Sequence, residues 1–252
     1  MWIKEFEGKR GWVILVHGLG EHSKRYGWLV ELLKTVDYGL TLFDLPGHGE
    51  SPGKRGHLSF KKVFRFIDSL LERHPNSFLF GHSLGGLIAI RYAETRFCKS
   101  LRGLIVTSPA LHLPNVSPSL RLLAAVTSVI TPWVTFDNRI DPNLLSTNKE
   151  AVKRYVEDPL VHRRISAKLA HDMFTNSKKA IEEAEKITIP CFVAVGTEDK
   201  IVLPTGAEQF SQKVASKDKI FKAYEGCFHE LFEDTTMSSL FKQDLINWLI
   251  NH

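Results

Sequence analysis

The stretch Phe78-Leu79-Phe80-Gly81-His82-Ser83-Leu84-Gly85-Gly86 decides how this chain folds. An apolar run enters it and a helical run leaves it at Leu84, so it reads as a strand, a sharp turn and a helix with a serine at the apex. Such a turn forces the serine into a sparsely allowed backbone conformation and needs glycine or a very small residue on either side, which Gly81, Gly85 and Gly86 supply. A bare Gly-x-Ser-x-Gly match is weak, because both residues are common in loops. The flanking strand and helix make it specific. They hold the Ser83 hydroxyl out of the sheet, beside the positive end of a helix.

A serine hydroxyl is a poor nucleophile without a base to take its proton, so the reading requires an acid and a histidine further along the chain. Where this elbow is used, the chain order is Ser, then Asp or Glu, then His. Residues 190–196 read as a fully buried strand, and Thr197-Glu198-Asp199-Lys200-Ile201-Val202 as the loop after it. Asp199 is preferred over its neighbour Glu198, since the loop is expected to turn Asp199 inward just before the apolar pair Ile201-Val202. Residues 219–224 alternate as a strand, and Glu225-Gly226-Cys227-Phe228-His229 follows as a loop. His229 is the expected proton shuttle.

Among the 11 histidines, His57, His74, His112, His162, His171 and His252 are read as surface or satisfied core residues. His17 differs, because it ends the buried strand Trp12-Val13-Ile14-Leu15-Val16 and opens Gly18-Leu19-Gly20. A His-Gly turn after the third strand of this fold supplies an oxyanion-hole amide. The expected donors are the backbone N–H groups of Leu19 and Leu84, each able to lower the barrier by about 3 kcal/mol.

Strands and helices alternate along the chain. Phe60, Val63, Phe64, Ile67, Leu70 and Leu71 recur at helical spacing behind Ser59, an expected N-cap, and Met237, Leu240, Phe241, Leu245, Trp248 and Leu249 form the apolar face of a closing helix. The strand Leu104-Ile105-Val106 ends at Thr107-Ser108-Pro109. These pieces predict an α/β fold, a mostly parallel central sheet with helices on both faces and functional residues at the carboxyl ends of strands. Between residues 113 and 176 the rhythm lapses into helical or irregular sequence, read as a cap inserted after the sixth strand, with residues 1–112 and 177–252 as the core. The run 120–130 is too short and interrupted to span a bilayer. It is read as a cap helix that packs on the core and lines an acyl tunnel or touches a lipid surface, with Leu122, Leu123, Val126 and Ile130 as its substrate-side residues.

The length of 252 residues allows one domain of this class, and 43% hydrophobic residues can supply a large core. Three cysteines, Cys98, Cys191 and Cys227, cannot all pair with one another and are read as free thiols in a reducing compartment. The first residues, Met1-Trp2-Ile3-Lys4-Glu5-Phe6, lack an apolar signal region, so a cytoplasmic enzyme is expected, with transient peripheral contact at a membrane. The net charge of +5 is scattered among 28 acids, which reads as a mixed solvated surface and not as a nucleic-acid footprint. No metal-ligand spacing, phosphate-binding glycine loop or cofactor motif is visible.

Four segments carry a resemblance to the α/β-hydrolase superfamily, and within it to the monoacylglycerol lipase and lysophospholipase-like group. They are residues 17–26 (HGLGEHSKRY), 44–51 (DLPGHGES), 81–86 (GHSLGG) and 158–162 (DPLVH). The first and last discriminate; the second is widespread and is read as a tight structural loop. The resemblance covers most of the chain and implies an α/β-hydrolase fold with a catalytic triad on Ser83, Asp199 and His229. It further implies a serine carboxylester hydrolase acting on monoacylglycerols without cofactor or metal, with Glu21, Arg25 and Tyr155 forming a polar pocket for glycerol. The alternative for Glu21 and Arg25 is a mutual pair that braces the oxyanion loop, and for Tyr155 an aromatic packing role. A lysophospholipase, a general carboxylesterase, a proline iminopeptidase-like peptidase using acids such as Glu150, Glu157 and Asp158, and a non-catalytic ligand-binding member are the other readings.

Overall fold

In the computed structural model, residues 1–96, 100–114 and 117–252 are described; Cys98 lies outside them. In chain order the elements are β1 (Ile3–Phe6), β2 (Gly11–Val16), α1 (Gly27–Lys34), β3 (Tyr38–Phe43), α2 (Phe60–Arg73), β4 (Ser77–His82), α3 (Leu84–Arg96) and β5 (Leu101–Thr107). There follow α4 (Pro118–Ile130), β6 (Thr135–Asp137), α5 (Lys149–Glu157), β7 (Arg164–Ser166), α6 (Ala167–Glu182), β8 (Cys191–Gly196), α7 (Pro204–Lys213), β9 (Lys219–Tyr224) and α8 (Ser238–Asn251). Seven strands form one sheet in the order β1-β3-β2-β4-β5-β8-β9, parallel throughout except for β1.

The central strands are apolar on both faces because each face has its own core. Successive side chains of a strand alternate sides. Ile14, Val16, Leu79, Leu104, Val106 and Val193 therefore join α2, α3, α6 and α7 in one cluster. Val13, Leu15, Phe78, Phe80, Ile105 and Phe192 join α1 and α8 in the other. Burial on both sides explains why these strands read as continuous apolar runs. Cys191 and Cys227 are buried free thiols.

Several expectations need correction. The strand that ends at His17 is second in chain order, and the insertion follows the fifth strand, because the sheet has seven strands. The insertion also contains a small antiparallel ribbon, β6 with β7; three-residue, mostly exposed strands leave no apolar signature. The expected end of the insertion, residue 176, falls inside α6, whose Leu169, Met173 and Ala180 belong to the core cluster. Ser59 precedes α2, but its side chain makes no capping bond. Leu240 is 51% exposed, because it sits one residue, about 100°, off the stripe formed by Phe241, Leu245, Trp248 and Leu249.

Candidate active site

Ser83 sits between β4 and α3 with φ of +53°, in the left-handed region that a side-chain-bearing residue occupies only when its surroundings impose it. The turn is packed too tightly for side chains beside it. A Cβ on Gly81 would collide with the Gly85 carbonyl, and one on Gly85 with the carbonyl of Val16. The backbone is pinned by Ser83 N–H donating to Thr107 O, and by Leu87 and Ala110 N–H groups donating to Ser83 O, each at 3.0 Å.

The loops after β8 and β9 meet beside this turn. His229 Nδ1 donates to Asp199 Oδ2 at 2.7 Å, both side chains being buried. The other oxygen, Asp199 Oδ1, accepts from the Ile201 and Val202 N–H groups at 2.9 and 3.0 Å, which is the inward turn expected of that loop. Glu198 points to solvent. Ser108 Oγ donates to the His229 carbonyl at 2.8 Å and holds the histidine loop against the core. Burial works against a charged imidazole, but the Asp199 carboxylate and its hydrogen bond, with Glu230 and Glu21 beyond, outweigh it and raise the His229 pKa above its usual value. His82, 4.8 Å away between ring centroids, is pushed the other way, to about 3, by burial and then by His229. Two adjacent buried imidazoles are thus shifted in opposite directions.

The third component is the loop after β2. Gly18 lies against the serine; a Cβ there would stand 3.2 Å from Ser83 Cβ. Leu19 borders the same cavity as Ser83 and His229. Leu84 is the first residue of α3, a position whose N–H has no partner within the helix. Three groups hold the loop in place. Gly18 N–H and Tyr26 Oη donate to Glu21 Oε1 at 2.6 and 2.8 Å, and Arg25 Nη1 donates to Glu21 Oε2 at 2.7 Å. Burial disfavours the Glu21 carboxylate, yet the Arg25 guanidinium outweighs that and its pKa is held down at about 2. Arg25 also forks onto Glu230 at 2.7 and 2.9 Å and stacks on the Tyr155 ring at 4.7 Å.

The two discriminating sequence segments prove to be one contact. His22 Nε2 donates to Asp158 Oδ2 at 2.8 Å, and the His162 N–H donates to Gly20 O at 2.8 Å. The 158–162 loop of the insertion is therefore seated on the loop beside the serine. Ile140, Leu145 and Tyr155 of the insertion roof a cavity of about 20 Å³ over Ser83, room for about one water molecule. Asp44 is structural, accepting from Ser23 N–H, Ser23 Oγ and Glu50 N–H.

Leu122, Leu123, Val126 and Ile130 do not border this cavity. Their exposures run from 49% to 68%, and Val129 reaches 81%. α4 packs against α6, with Ala124 buried and Arg121 over the Phe174 ring, while these large apolar side chains face solvent. The tunnel expectation is therefore replaced by an exposed apolar helix face. Glu150 and Glu157 are exposed and Asp158 is engaged by His22, so these acids do not converge on the serine. Among the described residues, no group of three or more His, Cys, Asp or Glu is arranged to hold a metal ion.

Sequence reasoning missed Glu230, Tyr26, Ile140 and Leu145. Glu230 follows His229 directly, but its partner Arg25 is 205 residues away, and no spacing rule marks such a pair.

A serine at a strand-to-helix elbow, a histidine and an acid on the loops after the last two strands, and a seven-stranded, mostly parallel sheet define an α/β-hydrolase. Residues 7–236 match the family described as serine aminopeptidase, S33, and the chain belongs to that family. The crystal structure of the Paleococcus ferrophilus monoacylglycerol lipase superposes with a TM-score of 0.97 at 47% identity, covering 100% of this chain and 98% of that one. The monoacylglycerol lipase of Mycolicibacterium smegmatis is 30% identical over 96% of this chain and 89% of its own length. Phospholipase YtpA of Bacillus subtilis is 28% identical over 96% of both chains.

Proposed function

We propose that the protein is a serine carboxylester hydrolase whose substrates are monoacylglycerols. The observation that carries this is the cavity shared by Ser83 and His229, with His229 paired to Asp199 at 2.7 Å and the 17–20 loop pressed against the serine. Ser83 Oγ attacks the ester carbonyl and His229 accepts its proton; Asp199 fixes the tautomer and stabilises the imidazolium. The Leu19 and Leu84 amides receive the oxyanion. His229 then returns the proton to the departing glycerol oxygen, and water repeats the sequence on the acyl-enzyme. The lipase relatives support the glycerol ester as substrate, and the phospholipase relative keeps a lysophospholipid as the runner-up.

On the alcohol side, Glu21 and Arg25 act as the brace of the oxyanion loop, since both Glu21 oxygens are occupied by Gly18, Tyr26 and Arg25. Tyr155 borders the cavity and is the group assigned to glycerol. A site built to hydrogen-bond a hydroxyl loses far more on a substrate that lacks it than an apolar site does. Tyr155→Phe should therefore lower kcat/KM for a monoacylglycerol while sparing a p-nitrophenyl ester of equal chain length. Glu21→Gln should impair both.

The exposed face of α4 is assigned to contact with a lipid surface, from which the substrate is drawn. No helix among the described residues is long and apolar enough to cross a membrane. The cavity over Ser83 is far smaller than an acyl chain, and it is bordered by Ile140, Leu145 and Tyr155 of the insertion. Fluorophosphonate labelling followed by a panel of monoacylglycerols, lysophospholipids, p-nitrophenyl esters and aminoacyl amides tests the proposal. Absence of label on Ser83 overturns the mechanism, and preferential turnover of aminoacyl amides overturns the substrate class.

A further inference from the structure

Glu230 is fully buried beside His229 and takes no part in the proton transfers described above. A buried carboxylate is costly unless paired, and pairing by itself seldom returns more than well-packed apolar residues would. Its contacts reach three different parts of the molecule. The side chain receives both arms of Arg25, one on each carboxylate oxygen, at 2.7 and 2.9 Å. The backbone N–H donates to Leu145 O, on the insertion's roof over the serine, at 2.7 Å. The peptide bond to His229 ties it to the imidazole. Arg25 in turn holds Glu21, whose other oxygen accepts the Gly18 N–H at 2.6 Å. Side-chain exposures along this path are 3% for Glu230, 10% for Arg25 and 4% for Glu21.

We infer that Glu230 is a positioning residue that locks the histidine loop to the oxyanion loop through Arg25, so that the proton shuttle and the oxyanion donors keep one geometry. The inference rests on the Ser83–His229 reading of the site. Two acids share one guanidinium here; burial raises the Glu230 pKa and Arg25 opposes that rise, and with both carboxylates ionised the cluster beside His229 carries one net negative charge. That charge favours the imidazolium that forms as Ser83 attacks. The charged and titratable groups facing His229 are Asp199 from the β8 loop, Glu21 and Arg25 from the oxyanion-loop region, His82 from β4, and Glu230 itself. The two-point fork between Arg25 and Glu230 is the arrangement of an ionised carboxylate.

Two variants separate this role from simple packing. Glu230→Gln preserves volume but removes the charge and half of the fork. It should lower kcat on a soluble p-nitrophenyl ester by about tenfold or more with KM within about twofold, and move the acid limb of kcat/KM to lower pH, because His229 loses a neighbouring negative charge. Glu230→Asp keeps the charge, so its acid limb should stay at the wild-type position even though the shorter arm reduces kcat. Thermal melts confirm that each variant is folded, and if Glu230→Gln does not fold, the limb of Glu230→Asp together with its kcat decides. Wild-type kcat in a folded Glu230→Gln with an unmoved acid limb, or wild-type kcat in Glu230→Asp, overturns the inference. Labelling of wild-type Ser83 by fluorophosphonate is scored in parallel; a protein that labels while these variants behave as wild type loses only the role of Glu230, and one that never labels loses the site itself.

Discussion

At the scale of single residues, the decisive feature is how differently neighbouring titratable groups are treated. His229 and His82 are both buried, yet the first has its pKa raised, burial being outweighed by Asp199, and the second has its pKa lowered to about 3 by burial and by His229. A general base must be neutral to accept a proton, so kcat/KM should fall with decreasing pH through an apparent pKa above the ordinary 6.5 of histidine. Asp199→Asn removes the charge that raises it. The acid limb should then shift to lower pH, and kcat should drop by about four orders of magnitude as the wrong tautomer is favoured. A pH–rate profile of the two proteins checks this; a near-normal Asp199→Asn would transfer the acid's role elsewhere. Glu198→Gln, altering an exposed side chain, should leave the profile unchanged.

Individual elements show how backbone geometry and side-chain size set function. In the elbow, Gly81 and Gly85 allow β4, α3 and β2 to approach more closely than any side chain permits. Gly81→Ala should cost about 1–3 kcal/mol, the usual range for overpacking a filled site, read as a lower denaturation midpoint together with loss of Ser83 labelling. In α4 Ala124 is buried, while Leu122, Leu123, Val126, Val129 and Ile130 are exposed. Full removal of one such side chain from water is worth about 1.5–3 kcal/mol. Val129→Asp combined with Ile130→Asp should therefore reduce partition onto phospholipid vesicles by about tenfold or more, while hydrolysis of a soluble short-chain ester is retained. Co-sedimentation and a p-nitrophenyl ester assay measure the two effects separately.

For the whole molecule, the joint between insertion and core is built from contacts beside the serine loop, His22 with Asp158 and His162 with Gly20. His162 sits in that joint: its N–H binds Gly20 O, and its ring lies 4.6 Å from that of His48, itself 5.5 Å from His17. Burial, then Arg55, lowers the His162 pKa to about 4, and burial also lowers those of His17 and His48. A histidine held neutral in the fold binds fewer protons than the unfolded chain once the pH drops below about 6.5. Its contribution to stability is therefore lost as pH falls from 6.5 towards 4. Thermal midpoints should decline over that window, and the decline should be shallower in His162→Gln; parallel curves for the two proteins would remove His162 from the acid response.

What the sequence determined by itself was everything that local chemistry writes into short stretches. The glycines around Ser83 announce the elbow because such a turn admits only glycine or a very small residue, unbroken apolar runs announce strands buried on both faces, and the loops after residues 196 and 224 place Asp199 and His229 at strand ends. Tertiary structure decided what depends on residues distant in the chain. Residues 17–26 and 158–162 stood out separately in the sequence, but only folding joins His22 to Asp158 and Gly20 to His162. Glu21 and Arg25 were legible as a pair, whereas the Glu230 that completes it comes from 205 residues further on. The apolar residues of α4 marked a helix, but the sequence did not specify which face would be covered, because that was settled by its packing against α6. Local conformation is encoded by neighbours in sequence; pairing and burial are encoded by neighbours in space, and those exist only once the chain has closed.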